Sequence, residues 1–266
     1  MRIQYIEWKN ITDDQKQKIF GRNQGADLSG YIERVKPIIE DVRDRGDVAL
    51  VEYEKKFNKA ELTPDSLKVS AAEFDKAEKE IPDDHKAAIK FAIGNVRKHN
   101  EAGLQAYQGF EVEICEGVRT GERAVPIDSV GLYVPGGKNL FPSTVYMTAI
   151  PAIVAGVKNI AMAGQARPDG SVNPYLLYTA RICDIENFDK ISGAHGIAAY
   201  GFGTQSVPAV GKILGPSGPY ALAAKLALPF YGCTIDPGFP AGPSESIVLC
   251  DETADPDNTV WDIINE

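Results

Sequence analysis

The 266-residue chain has no apolar run approaching the roughly 18 to 20 residues that a membrane-spanning helix needs. Its N-terminus, MRIQYIEWKN, alternates apolar and polar residues and lacks the continuous apolar stretch of a secretory signal, so the expected location is cytoplasmic. An excess of positive charge is also missing. With a net charge of −9 the surface cannot repay the counterion release that phosphate backbones demand, which excludes nucleic acid as the main partner and favours a small molecule. The four cysteines, Cys115, Cys183, Cys233 and Cys250, form no CxxC pair, which excludes a zinc knuckle and a dithiol redox motif. They are expected to be buried free thiols. No GxGxxG follows a strand-like run, so the usual dinucleotide fingerprint is absent.

What is present begins with a helical region of about 110 residues. Ile32, Val35, Ile39 and Val42 recur at helical spacing, with Pro37 inside the run predicting a kink or a later start. Gly46 is a good stop, and Asp47 is expected to cap the next helix, whose apolar residues are Val48, Val51 and Phe57. Ser70 and Glu73 have capping-box spacing, and Ile89, Ile93 and Val96 share one face before Gly103. Residues 110–115 alternate like a half-buried strand.

After residue 127 the pattern becomes a repeated short apolar run, a glycine and a helical stretch. VGLYVPGG at 130–137 precedes a helix starting near Pro142, and NIAMAG at 159–164 precedes one with Pro174 at its first position. FDKISG at 188–193 and GKILG at 211–215 repeat the unit, with a helix from Pro219 to Leu228 and further strands expected at 232–235 and 246–250. Strands alternating with helices of this length imply right-handed crossovers and a parallel sheet covered on both faces. Ligands of such sheets bind outside the carboxyl ends of the strands, where Gly136, Gly137, Gly164, Gly193, Gly215 and Gly218 fall. Two readings of those glycines stand: a cradle for a phosphate-bearing ligand, or tight turns. Pro256 opens a last helix whose segment holds Asp251, Glu252, Asp255, Asp257, Asp262 and Glu266 but no base, a poor helix C-terminus that reads as cut.

Six motifs, VGLYVPGG (130–137), PSTV (142–145), IPAIVAGVKNI (150–160), GIAAYGFGTQSVP (196–208), AGPSE (241–245) and DETADP (251–256), together resemble the histidinol dehydrogenase family, more weakly also through DVRDRGDVAL (41–50). The resemblance implies an α/β protein with two incomplete Rossmann-like domains, parallel sheets flanked by helices, and an N-terminal helical segment. Residues 1–24 would form that segment, 25–129 with 244–266 the first and interrupted domain, and 130–243 the inserted one. It implies oxidation of L-histidinol to L-histidine through the aldehyde with two NAD⁺, a zinc ion that positions the substrate, and a homodimer. The family's catalytic Glu-His pair would lie beyond residue 266, so no catalytic acid or base is assigned and the chain alone is expected to be inactive.

Residue by residue, the resemblance makes Tyr133 the tyrosine that lies against the cofactor, the alternative being a strand tyrosine facing the core. Ser244 matches a substrate-contacting serine, or else a turn hydroxyl. His195 stands where the family has a cofactor-binding glutamine, and Gly218 where an asparagine usually holds the cofactor, so that contact is lost. Glu266 occupies the place of a zinc-ligating glutamine, a weak candidate on its own. The changes at His195, Gly218 and Glu266 leave open a paralogous dehydrogenase for another alcohol, of a sulfopropanediol-like kind. A shortened, non-catalytic protein that keeps nucleotide or partner binding is the third reading.

Overall fold

A computed structural model describes residues 6–20, 28–107, 109–136, 141–238 and 247–265. A short helix α1 (Asp13–Phe20) precedes α2 (Ser29–Arg45), whose Val35, Ile39 and Val42 are buried at helical spacing. α2 runs through Pro37 without a break and is stopped by Gly46, which takes φ +56°, a conformation cheap only for glycine. α3 (Asp47–Tyr53) continues into a π-turn at Glu54–Asn58. Ala49, Leu50 and Glu54 form its buried side, whereas Val48 is half in solvent, as is Phe57, which the wide turn carries out of α-helical register. Asp47 does not act as the expected cap. Its carboxylate instead accepts from Thr204 Oγ1 and from Ser206 Oγ and N, a tertiary clamp that ties the start of α3 to a segment far along the chain.

α4 (Ala71–Glu80) starts with the expected capping box, Ser70 Oγ accepting from Glu73 N while Glu73 Oε2 accepts from Ser70 N at 2.9 Å. α5 (Asp83–Gln105) buries Ile89 and Ile93. β1 (Phe110–Cys115) and β2 (Val118–Glu122) then form an antiparallel hairpin. It is exposed along its whole length rather than half-buried, since none of the described residues packs on the face that carries Val112 and Ile114.

The remainder is a parallel α/β unit: β3 (Ser129–Val134), α6 (Pro142–Val154), β4 (Asn159–Gly164), α7 (Pro174–Ile182), β5 (Phe188–Asp189), α8 (Gly193–Phe202), β6 (Ile213–Leu214) and α9 (Pro219–Ala227). The strand order is β5-β4-β3-β6, every pair parallel. Proline at the first turns of α6, α7 and α9 explains where those helices begin, since its missing N–H would be unpaired there in any case. Val130, Leu132, Val134 and Met162 pack on one side with α4–α7, and Tyr133, Ala161 and Ala163 on the other with α2, α3, α8 and α9. The result is three layers, with the N-terminal helices closing both faces of the sheet.

Two expected strands are not formed. Residues 232–235 contribute no ladder, the neighbouring Asp236 making a single bridge to Lys212, and 247–250 are unpaired, leaving Ile247 and Leu249 exposed. A strand exists only where a neighbour accepts its backbone groups, and the described residues offer none there. α10 (Pro256–Asn265) forms as expected, with Val260, Trp261, Ile263 and Ile264 exposed. Of the cysteines, Cys183 is buried and Cys233 partly so, but Cys115 and Cys250 lie at the surface, because both belong to these uncovered segments. No helix among the described residues is long and apolar enough to cross a membrane.

Candidate nucleotide site

The carboxyl ends of the parallel strands converge on the first turn of α8. Ser192 is the N-cap residue of that helix, yet its hydroxyl donates to Glu54 Oε1 at 3.1 Å instead of capping. The N–H of Gly193 donates to the Tyr133 hydroxyl at 3.0 Å. Beside this turn lies a cavity of about 660 Å³ between α2, the α3 π-turn and the starts of α8 and α9. Ile38, Tyr53, Phe57 and Tyr220 make its walls apolar and aromatic, while Arg34 and Lys56 bring positive charge to them. Arg34 is steadied by donating to the Tyr220 hydroxyl at 3.2 Å. A helix N-terminus, two cations and aromatic walls suit an anionic ligand with a flat ring.

His195, 1% exposed, lies in the wall formed by the α8 turn. Its Nε2 is 2.8 Å from Oε1 of Glu54, a carboxylate with 0% exposure. Asn58 Nδ2 donates to Glu54 Oε2 at 2.6 Å and contacts Ser192 Oγ at 2.7 Å, and Asn58 Oδ1 accepts from Gln165 Nε2 at 2.9 Å. Gln165 in turn fills the space where Gly136 has no side chain, for a Cβ there would meet Gln165 Oε1 at 2.0 Å. The network thus joins the ends of β3 and β4 to the π-turn and to α8. His195 Nδ1 is buried with no hydrogen-bond partner.

Tyr133 is buried, with its ring in the core and only its hydroxyl engaged by α8, and burial pushes its phenol above the usual range. Lys225, 2% exposed, lies 5.9 Å over that ring and donates to Gly215 O at 2.8 Å. Burial lowers its ammonium to about 8. Asp189, at the end of β5, is fully buried and accepts from Tyr200 OH at 3.2 Å, its other oxygen unpaired. Burial pushes its carboxyl up to about 6, outweighing the opposing pull of Lys68 and of the tyrosine.

The structure therefore brings Tyr133 and His195 together through the start of α8, and sets Gly218 at the N-cap of α9, two residues before the cavity-lining Tyr220. A Cβ at Gly218 would meet nothing within 4 Å. Ser244 and Glu266 lie outside the described residues, and among the described residues no three His, Cys, Asp or Glu side chains converge on a metal position. Glu54, Asn58, Ser192 and Gln165 were missed by sequence reasoning. No local spacing marks them as a group, since the contacts that join them to α8 and to β4 are made across the fold.

The parallel sheet flanked by helices defines an α/β protein, with a cavity at the carboxyl ends of its strands. The model of the family Histidinol dehydrogenase matches residues 22–266, and the chain belongs to that family. It is 41% identical to a histidinol dehydrogenase homolog of Rhizobium meliloti (strain 1021), the match covering 94% of this chain and 54% of the relative. A histidinol dehydrogenase of Bacteroides fragilis (strain ATCC 25285) is 43% identical over 90% of this chain and 55% of its own length. The crystal structure of histidinol dehydrogenase from Elizabethkingia anophelis superposes with a TM-score of 0.81 at 37% identity, covering 91% of this chain and 54% of the other. The chain thus spans about half the length of the relatives it matches.

Proposed function

We propose that this chain carries the NAD-binding part of a histidinol dehydrogenase-type oxidoreductase, and that the complete protein oxidises L-histidinol to L-histidine through the aldehyde as a cytoplasmic, zinc-dependent homodimer. The division into an interrupted first domain (25–129 with 244–266) and an inserted one (130–243) belongs to the same proposal. The observation that carries it is the 660 Å³ cavity beside the α8 N-terminus, with His195 in its wall and Arg34 and Lys56 facing it. An unpartnered buried nitrogen, cations and aromatic walls fit a dinucleotide, whose nicotinamide would accept the hydride when bound. The chain's own residues supply binding and orientation: the cations meet phosphate charge, the aromatic walls hold a ring and exclude water, and the Tyr133 hydroxyl fixes the turn that carries His195. The described residues do not by themselves form a zinc site.

Calorimetric titration of the purified chain with NAD⁺ tests the reading, with Arg34→Ala and Lys56→Ala together expected to weaken binding about tenfold or more. Unchanged affinity in the double variant would place the dinucleotide elsewhere. A paralogous dehydrogenase for another alcohol is the second reading, favoured by His195 and Gly218 standing at two cofactor positions and by relatives named as homologs.

A further inference from the structure

We infer that Glu54 is the positioning residue of this cavity: it fixes the tautomer of His195 so that Nδ1 is a hydrogen-bond acceptor, and the cavity thereby selects a flat heteroaromatic ring bearing an N–H donor. The selection half of this inference rests on reading the cavity as the dinucleotide's.

The direction of every bond in the network can be assigned from its ends. Gln165 Nε2 can only donate, so the Asn58 atom it meets at 2.9 Å is the amide oxygen. The Asn58 nitrogen is therefore the atom facing Glu54 Oε2 at 2.6 Å. Ser192 Oγ donates to Oε1, the oxygen that also meets His195 Nε2 at 2.8 Å. Both oxygens of Glu54 are accepting, which is the pattern of an ionised carboxylate, and Nε2 must supply a proton to complete it. A neutral imidazole with its proton on Nε2 keeps a lone pair on Nδ1. That nitrogen is the buried atom left without a partner, so an incoming ring reaches it only by displacing the groups that cover it. The ring itself lies against Tyr53 and Phe57, with centroids 5.6 and 5.9 Å away, so it is continuous with the aromatic wall of the cavity. With its one N–H committed to Glu54, the histidine has only an acceptor left for a ligand, whereas the glutamine that the family places here could do either. Two groups of a nicotinamide dinucleotide meet the requirement: the exocyclic amine of adenine and the carboxamide of nicotinamide.

The test needs two readouts. Long-range ¹H–¹⁵N spectra of the imidazole rings are tractable because the chain has 3 histidines. The wild type should show His195 protonated on Nε2. In Glu54→Gln, Asn58 Nδ2 still demands an oxygen at the Oε2 position, so the new amide nitrogen faces His195, donates to Nε2 and moves the ring proton to Nδ1. Calorimetry then compares adenosine with inosine monophosphate, and nicotinamide with nicotinic acid mononucleotide. The donor-bearing member of one pair should bind about tenfold tighter, and which pair discriminates identifies the ring. In Glu54→Gln that preference should reverse. A wild-type ring protonated on Nδ1, or a preference unchanged in Glu54→Gln, overturns the role of Glu54. If no mononucleotide binds the wild type although the tautomer shifts as described, the ligand reading falls together with the cavity's assignment to the dinucleotide.

Discussion

The two faces of the parallel sheet are built differently. On the side of α4–α7, large apolar side chains such as Leu132, Met162, Ile150 and Phe188 fill the space, and stability there comes from area removed from water. On the side of α2, α3, α8 and α9 the sheet presents Ala161 and Ala163 beside Tyr133 and Ile213, and the helices bury Asp47, Glu54, His195 and Lys225 among their apolar side chains. Buried charges are costly unless each is paired and hydrogen-bonded. Asp47 and Glu54 are satisfied in full, but Lys225 makes a single hydrogen bond and His195 leaves one nitrogen empty. Both faces carry an apolar core, but only the second spends part of its stability on a site.

The largest effect should come from the apolar face. Leu132→Ala removes a fully buried side chain and is expected to lower unfolding free energy by about 2–5 kcal/mol in urea titration. NAD⁺ affinity measured well below the transition should be retained; a loss of affinity as large as the loss of stability would mean the two faces are not separable.

Asp189 gives an intermediate effect with a definite sign. Its folded pKa of about 6 lies above the ordinary 3.8, so between those values the folded state holds the extra proton. Stability is favoured below about pH 4 and lost as pH rises through about 6, in opposition to the ordinary carboxylate trend. Asp189→Asn keeps an acceptor for Tyr200 and should raise stability at pH 7.5 by about 1–2 kcal/mol while flattening this part of the pH profile. A variant less stable than the wild type at pH 7.5 would show that the buried charge is compensated after all.

The smallest effect lies at the rim of the site. Gly218→Asn places a capping side chain in open space at the start of α9 and should stabilise by a few tenths of a kcal/mol, seen as a Tm rise of about 1–2 °C. It should also tighten NAD⁺ binding, since the family's asparagine position would be restored. Tm rising without tighter binding would mark Gly218 as remote from the ligand.

Much of the architecture was legible locally. The Ser70–Glu73 box, Gly46, and the prolines at 142, 174 and 219 mark element ends through chemistry within a few residues, so one sequence sufficed to place them. The glycine-ended apolar runs likewise exposed the parallel strands. The errors share a cause. The strands expected at 232–235 and 246–250 and the half-burial expected of the strand at 110–115 all depend on a neighbour, and periodicity carries no information about whether that neighbour is there.

The sequence by itself determined the family, the α/β rhythm and the edge at which the parallel strands end, because each is written in short-range spacing or in motifs. Only the tertiary structure decided what His195 is. Its partner Glu54 stands 141 residues away, on the buried side of a π-turn that no periodic pattern announces. A buried carboxylate must find its donors wherever the fold supplies them, so the group that sets the proton on His195 became visible only when α3 and α8 were packed together.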